Sequence, residues 1–318
     1  MAKRKRGRPL DGWLVLDKPL DMTSTQALGA VKRLLQPQKA GHAGTLDPLA
    51  TGVLPIALGE ATKTVGFAMA GAKRYRFTIA WGRSTDTGDA EGAVIAESAA
   101  RPAPDAVEAA LAGFIGEIDQ TPPAYSAIKV DGERAYDLAR AGDAVSLAPR
   151  RVRIDALDLV AASDAEASLE LTCGQGVYVR ALARDLADVL GVCGYVSALR
   201  RLVVGRFSEN QALTLDALTD LSHKQSFDFL LPVATALADI PAVAVTADEA
   251  FRLRQGRAIV LLPRQVERLR AAFRPRTING EDASRMAWAQ TAERPVALGE
   301  VRAGRFQPVR VFNLMSEP

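Results

Sequence analysis

The chain has 318 residues, 48% hydrophobic and 24% charged, enough to bury a full core without disulfide or metal staples. Two cysteines, Cys173 and Cys193, exclude a disulfide scaffold, and no apolar run reaches the ~20 residues of a membrane-spanning helix. The start, Met1-Ala-Lys-Arg-Lys-Arg, lacks the apolar stretch of a secretory signal, so a cytoplasmic protein is expected.

The net charge of +3 is unevenly spread. Lys3, Arg4, Lys5, Arg6 and Arg8 crowd the first residues, and Arg252 to Arg276 holds eight arginines against one acid, Glu267. Such stretches suit either a polyanion contact or a solvated face. After this tail, Gly12 to Leu16 reads as a short buried strand bounded by Lys18-Pro19. Thr23 with Gln26 forms a capping-box pattern, and Leu28, Val31 and Leu35 give the helical face that Pro37 ends. From Gly41 to Gly59, recurring glycine, threonine and proline predict a structured loop. Tyr75, Phe77, Ile79 and Trp81 alternate with Arg76, Thr78 and Ala80, the pattern of a half-buried strand. Gly82 to Gly92 has loop chemistry, and Asp105 with Glu108 opens a short helix.

Two strands are expected at Val152–Val160 and Leu169–Cys173, joined by a turn at Ser163-Asp164. Leu182, Leu186, Val189 and Leu190 then mark a helix that Gly191 caps. Strands and helices come in runs rather than in βαβα alternation, which makes the fold class α+β. Near Pro241 the pattern restarts with Val243–Val245, Ala258–Leu262, Val296–Leu298 and Val309–Phe312. The expected organisation is a basic N-terminal tail (1–11), a large domain (12–240) and a small β-rich C-terminal domain (241–318).

Neither His42 nor His223 has zinc-type neighbours, the Lys63-Thr64 pair lacks the glycine of a Walker A loop, and GxGxxG and GxSxG patterns are missing. What stands out is Gly41-His42-Ala43-Gly44-Thr45-Leu46-Asp47-Pro48, which sets one carboxylate in a glycine-rich, otherwise nearly uncharged stretch. Asp47 is there either as a turn former or as a carboxylate free for chemistry.

The stretch Gly41 to Lys63 resembles the catalytic motif of the tRNA pseudouridine synthase B (TruB) family. Trp13 to Ser24 is similar to that family's first motif, with Lys18 and Pro19 in place and Asp21 where glycine is usual. Lys73-Arg74-Tyr75, Gln120 to Arg140, Gly176 to Gly191 around Tyr178 and Arg180, and Leu199-Arg200-Arg201 resemble its further segments, in order. The resemblance implies a pseudouridine-synthase-type mixed, largely antiparallel sheet with flanking helices, followed by a PUA-like RNA-binding domain.

It further implies isomerisation of uridine 55 in the tRNA T-loop, with no cofactor, no metal and no obligate protein partner. By the same resemblance Asp47 is the nucleophile or the C2′ base, Arg180 pairs with it and Tyr75 stacks on the uracil. His42 fills the space of the flipped base, Tyr178 and Leu199 wall the pocket, Lys18 and Lys63 contact phosphates or brace the loop, and Asp89 lies at the rim. Two rivals stay open: a non-catalytic or guide-dependent RNA-binding subunit on the same fold, and a glycosidase using Asp47, for which no second carboxylate motif is visible.

Overall fold

The computed structural model of the chain describes residues 7–314, apart from 127, 131, 144 and 293. Lys3, Arg4, Lys5 and Arg6 lie outside the described residues. Arg8 is anchored rather than trailing: its N–H donates to Gln36 O at 2.6 Å, and its guanidinium sits 5.6 Å from the Phe227 ring centre.

Strand β1 (Gly12–Lys18) forms as its apolar run dictates and is buried along nearly all its length. Helix α1 (Ser24–Leu35) starts at the Thr23–Gln26 capping box, with Gln26 N donating to Thr23 Oγ1 at 3.1 Å and Thr23 N to Gln26 Oε1 at 2.8 Å. It stops at Gln36, which adopts left-handed backbone before Pro37. The expected loop from Gly41 to Gly59 is instead mostly strand. Short β2 (Ala40–His42) pairs with the end of β3 (Ala50–Leu58), leaving only 43–49 irregular.

Composition hid β3 because its breakers sit at special places. Gly52 has φ +96° and faces Arg201 O so closely that a Cβ would lie 2.3 Å away. Pro55 falls between Ala50–Gly52, paired in parallel with the strand of residues 194–204, and Ile56–Leu58, paired with β2.

Strand β4 (Lys73–Trp81) follows the expected alternation, with Tyr75, Phe77, Ile79 and Trp81 buried. The polar stretch after it is a correction to the loop reading: Arg83–Thr85 and Val94–Glu97 form a hairpin arm around a true turn. Helix α2 (Pro104–Leu111), β5 (Gly116–Gln120), β6 (Arg150–Ala162), β7 (Glu166–Cys173), α3 (Val179–Val189) and β8 (Gly194–Val204) complete the large unit.

Its nine-stranded sheet runs β1-β3-β8-β4-β7-β6-β5, with β2 beside β3 and Phe207–Ser208 beside β8. Every pairing in it is antiparallel except β3 with β8, so the fold is α+β with a mixed, largely antiparallel sheet. The apolar faces of α1 and α3 pack against it. Val31 and Leu35 from α1 and Leu182 and Leu186 from α3 share a core with Leu14, Ile56, Phe77 and Leu169.

A second sheet follows, built from β9 (Ala242–Ala244), β10 (Ile259–Val260), β11 (Met286–Thr291), β12 (Arg294–Arg302) and β13 (Arg305–Val311), in the order β9-β11-β12-β13-β10. Helices α4 (Ala247–Arg254) and α5 (Pro263–Ala272) cover it. Strand β11 was not expected, because Ala287 and Ala289 bury on one face without the bulky alternation that marks a strand. Trp13, Val53 and Phe207 pack in one cluster with Trp288, Leu298 and Phe312, so the two sheets share apolar surface.

Candidate active site

The loop that carries Asp47 joins β2 to β3, and its backbone is tied down residue by residue. Gly44 O and Thr45 O accept from Arg201 Nη2 and Nη1 at 3.0 and 3.3 Å. Leu46 O accepts from Ser24 Oγ at 3.0 Å, and Leu46 N donates back to that oxygen at 2.7 Å. Asp47 O accepts from Ala50 N at 3.1 Å, and Pro48 O from Asp21 N at 3.0 Å and Lys18 Nζ at 3.2 Å. Each carbonyl from Gly44 to Pro48 therefore has a donor, as backbone turned away from water requires. Asp21 serves this contact from left-handed backbone, φ +58°, a conformation aspartate tolerates.

The Asp47 carboxylate meets Arg180 from the first turn of α3, Nη2 to Oδ2 at 3.0 Å. Its side chain keeps 40% exposure while that of Arg180 keeps 7%, so burial weighs chiefly on the cation. Arg180 is held by four partners: Asp47, Asp89 Oδ2 at 3.5 Å from Nε, Thr87 O at 2.8 Å from Nη1 and Tyr125 O at 2.8 Å from Nη2. This fork geometry is what guanidinium supplies and ammonium cannot.

Asp89 thus sits beneath the arginine rather than at the rim, 2% exposed. The turn that carries it docks on β8, Val196 N donating to Gly88 O and Ala90 N to Val196 O, each at 3.1 Å. Its Oδ1 accepts from Thr87 Oγ1 at 2.5 Å and Glu91 N at 3.1 Å. Burial, then the negative Asp89 and Asp47, holds the Glu91 carboxyl above its ordinary range.

Tyr75 and Leu199 are both buried, and Tyr75 lies close enough to Asp47 to feel its charge. Leu199 lies in register with both Ala50 on β3 and Phe77 on β4, at the exit of the Asp47 loop. Tyr75 is opposite Arg201, and burial raises its phenol above the usual range against the pull of that guanidinium. Tyr178 caps α3, where Gln120 receives its N–H at 2.8 Å and donates to its carbonyl at 3.2 Å. His42 ends β2; burial, then Arg201, lowers its imidazole pKa, so the ring is neutral at pH 7, with a buried Nδ1 that has no hydrogen-bond partner among the described residues.

The two expected lysines part company. Lys18 is fully buried, its Nζ donating to Pro19 O at 2.8 Å and Met22 O at 2.5 Å besides Pro48 O, so it braces the loop. Lys63 is away from this group: it binds Glu60 Oε2 at 2.5 Å and Val311 O at 2.7 Å, while Asn313 N donates to the same Glu60 oxygen at 2.7 Å. It fastens the second sheet to the first. The sequence reading gave no role to Ser24 or Arg201. A signal for Arg201 exists: it stands two positions after Leu199 on a strand, which puts both on one face.

The arrangement holds one partly exposed carboxylate on a guanidinium, with the Tyr75 and Tyr178 phenols close enough to feel its charge. Two family profiles match the chain: "TruB family pseudouridylate synthase (N terminal domain)" over residues 32–179 and "tRNA pseudouridylate synthase B C-terminal domain" over 180–238. It is 59% identical over 316 residues to a protein of Caulobacter sp. (strain K31) named tRNA pseudouridine synthase B, covering 99% of this chain and all of that one. A protein of the same name from Caulobacter vibrioides is 58% identical over the same span. Among solved structures, the fold is similar to one titled "Crystal Structure of a Cbf5-Nop10-Gar1 Complex" at TM-score 0.70 and 22% identity, covering 95% of this chain and 84% of that one.

Proposed function

The chain belongs to the TruB family of pseudouridylate synthases, and from that premise we propose that it isomerises uridine 55 in the T-loop of tRNA to pseudouridine. The C1′–N1 bond breaks, the uracil turns while held, C5 bonds to C1′, the C5 proton leaves for solvent and N1 takes up a proton in its place. Nothing is oxidised and no group is lost, so the reaction needs no cofactor. Asp47 starts it, by adding to C1′ or by taking the C2′ proton. A primary isotope effect on deuteration at C2′ marks the second route, and its absence marks the first.

The observation that carries this reading is the 3.0 Å contact between the buried Arg180 and a partly exposed Asp47, in a chain of this family. Arg180 holds and aims the carboxylate, with Asp89 balancing the buried guanidinium from the other side. Tyr75 stacks on the turned-out base and passes on the C5 proton; Tyr178 and Leu199 wall the pocket. The neutral His42 ring occupies the gap that flipping leaves in the loop. The second sheet acts as a PUA-like RNA-binding domain, and seven of the eight arginines from Arg252 to Arg276 are exposed and available to phosphates. The T-arm and the tRNA elbow are the surface it grips, with no obligate protein partner. No helix among the described residues is long and apolar enough to cross a membrane, and both cysteines are free; we place the enzyme in the cytoplasm with its tRNA.

The test uses the purified chain alone on a T-arm hairpin. Conversion of uridine to an isomer of equal mass supports the proposal. Release of free uracil would make it a glycosidase, and turnover only with an added guide RNA or subunit would make it a dependent subunit.

A further inference from the structure

Arg201 on β8 is a cation 1% exposed whose guanidinium donors go to carbonyls rather than to a carboxylate. Burying a charge this way is costly, so the interactions that hold it are strongly constraining. Their pattern is specific. Nη2 and Nη1 take Gly44 O and Thr45 O, which lead into Asp47, and Nε takes Val53 O at 2.8 Å, which follows the loop. One rigid fork thus joins both stems of the loop.

The strand register adds a second, independent constraint. Arg201 lies opposite Gly52 on one side and Tyr75 on the other. At Gly52 the two backbones approach so closely that only a glycine fits, which brings β3 tight against β8 at this residue. Gly44, at φ +100°, adopts backbone that favours glycine just where its carbonyl meets Nη2. Arg201 is therefore where the Asp47 loop, β3 and the Tyr75 strand are gauged against one another.

We infer that Arg201 is a positioning residue for the isomerisation, whose guanidinium clamps the two stems of the loop and fixes Asp47 relative to Tyr75. The inference rests on the function proposed above. Arg201 acts on the isomerisation through others: the loop backbone that carries Asp47 and the Tyr75 side chain that its guanidinium also faces. Displacing a reactive group by about 1 Å can cost on the order of a hundredfold in rate without altering substrate binding.

The experiment compares wild type with Arg201→Lys, which keeps a positive charge but loses the three-armed fork, and with Arg201→Gln, which keeps a donor without charge. Single-turnover isomerisation of a T-arm hairpin, RNA affinity and hydrogen exchange of peptides spanning residues 40–56 are measured on each. Both variants should lose about a hundredfold in rate with RNA affinity kept within about threefold. Exchange should quicken in 40–56 while β4, β7 and α3 keep wild-type protection. Wild-type turnover or unchanged exchange in Arg201→Lys overturns the assignment. So does loss of protection throughout the sheet, or failure of both variants to fold, since Arg201 would then be an element of the core and not of the loop. If wild type itself makes no pseudouridine, the functional proposal fails, while the exchange data still decide whether Arg201 clamps the loop.

Discussion

Arg180 is the residue on which most of the site's geometry converges, because its five N–H groups face two carboxylates and two carbonyls at once. Lysine brings the same charge on a single rotatable head and cannot span those partners. Arg180→Lys should reduce turnover by about two to three orders of magnitude, measured as single-turnover rate with RNA affinity retained. Titration gives a second prediction at this scale. Burial holds Lys18 down at about 8 despite the attraction of Asp47, and holds Lys73 down at about 8 as well. Between pH 8 and 9 the unfolded chain therefore binds protons that the folded chain has released, and stability rises with pH. Burial also pushes Cys173 up to about 12, from 9.0, so above pH 9 the native thiol keeps a proton that the unfolded one loses, which opposes the rise. A urea-midpoint series should show the increase from 8 to 9, and Lys18→Met should remove about half of it, Lys73 supplying the rest.

At the scale of elements, the sequence exposes what is local and hides what depends on a distant neighbour. The capping box at Thr23, the alternation through Tyr75 to Trp81 and the apolar face of α3 were all readable, because each is written within a dozen residues. Strand β3 was not, since Gly52 and Pro55 look like breakers until β8 and β2 are placed beside them. The same reason hid Arg201 and the depth of Asp89: their surroundings come from β3, β4 and β8, far apart in the chain. Asp47 itself was legible as a lone acid among glycines, but the reactive role proposed for it came from the family's motifs. Helix α1 carries a testable share of this architecture, because Ser24 both donates to and accepts from Leu46, the neighbour of Asp47. Ser24→Ala strands two buried backbone groups, which should cost about 1–3 kcal/mol of stability and lower turnover more than RNA affinity. An unchanged denaturation midpoint would show that the Asp47 loop does not depend on α1.

Across the whole molecule, the division of labour follows the two sheets. The larger carries the Asp47–Arg180 pair; the smaller is fastened to it through Trp288, Phe312 and the Lys63–Glu60–Asn313 contacts and presents arginines to the outside. If those arginines grip phosphates, removing the exposed Arg264 and Arg268 together should weaken RNA binding and lower the slope of log affinity against log salt by about one to two. Turnover of bound RNA should be untouched, and a slope equal to wild type would remove α5 from the interface. The central claim, that one carboxylate starts the isomerisation, is tested most directly on 5-tritiated uridine in a T-arm hairpin. Tritium leaves only when C5 has replaced N1 on the sugar. Asp47→Asn should bind the hairpin as wild type does and release no tritium above background; release at a rate near that of wild type would contradict the account.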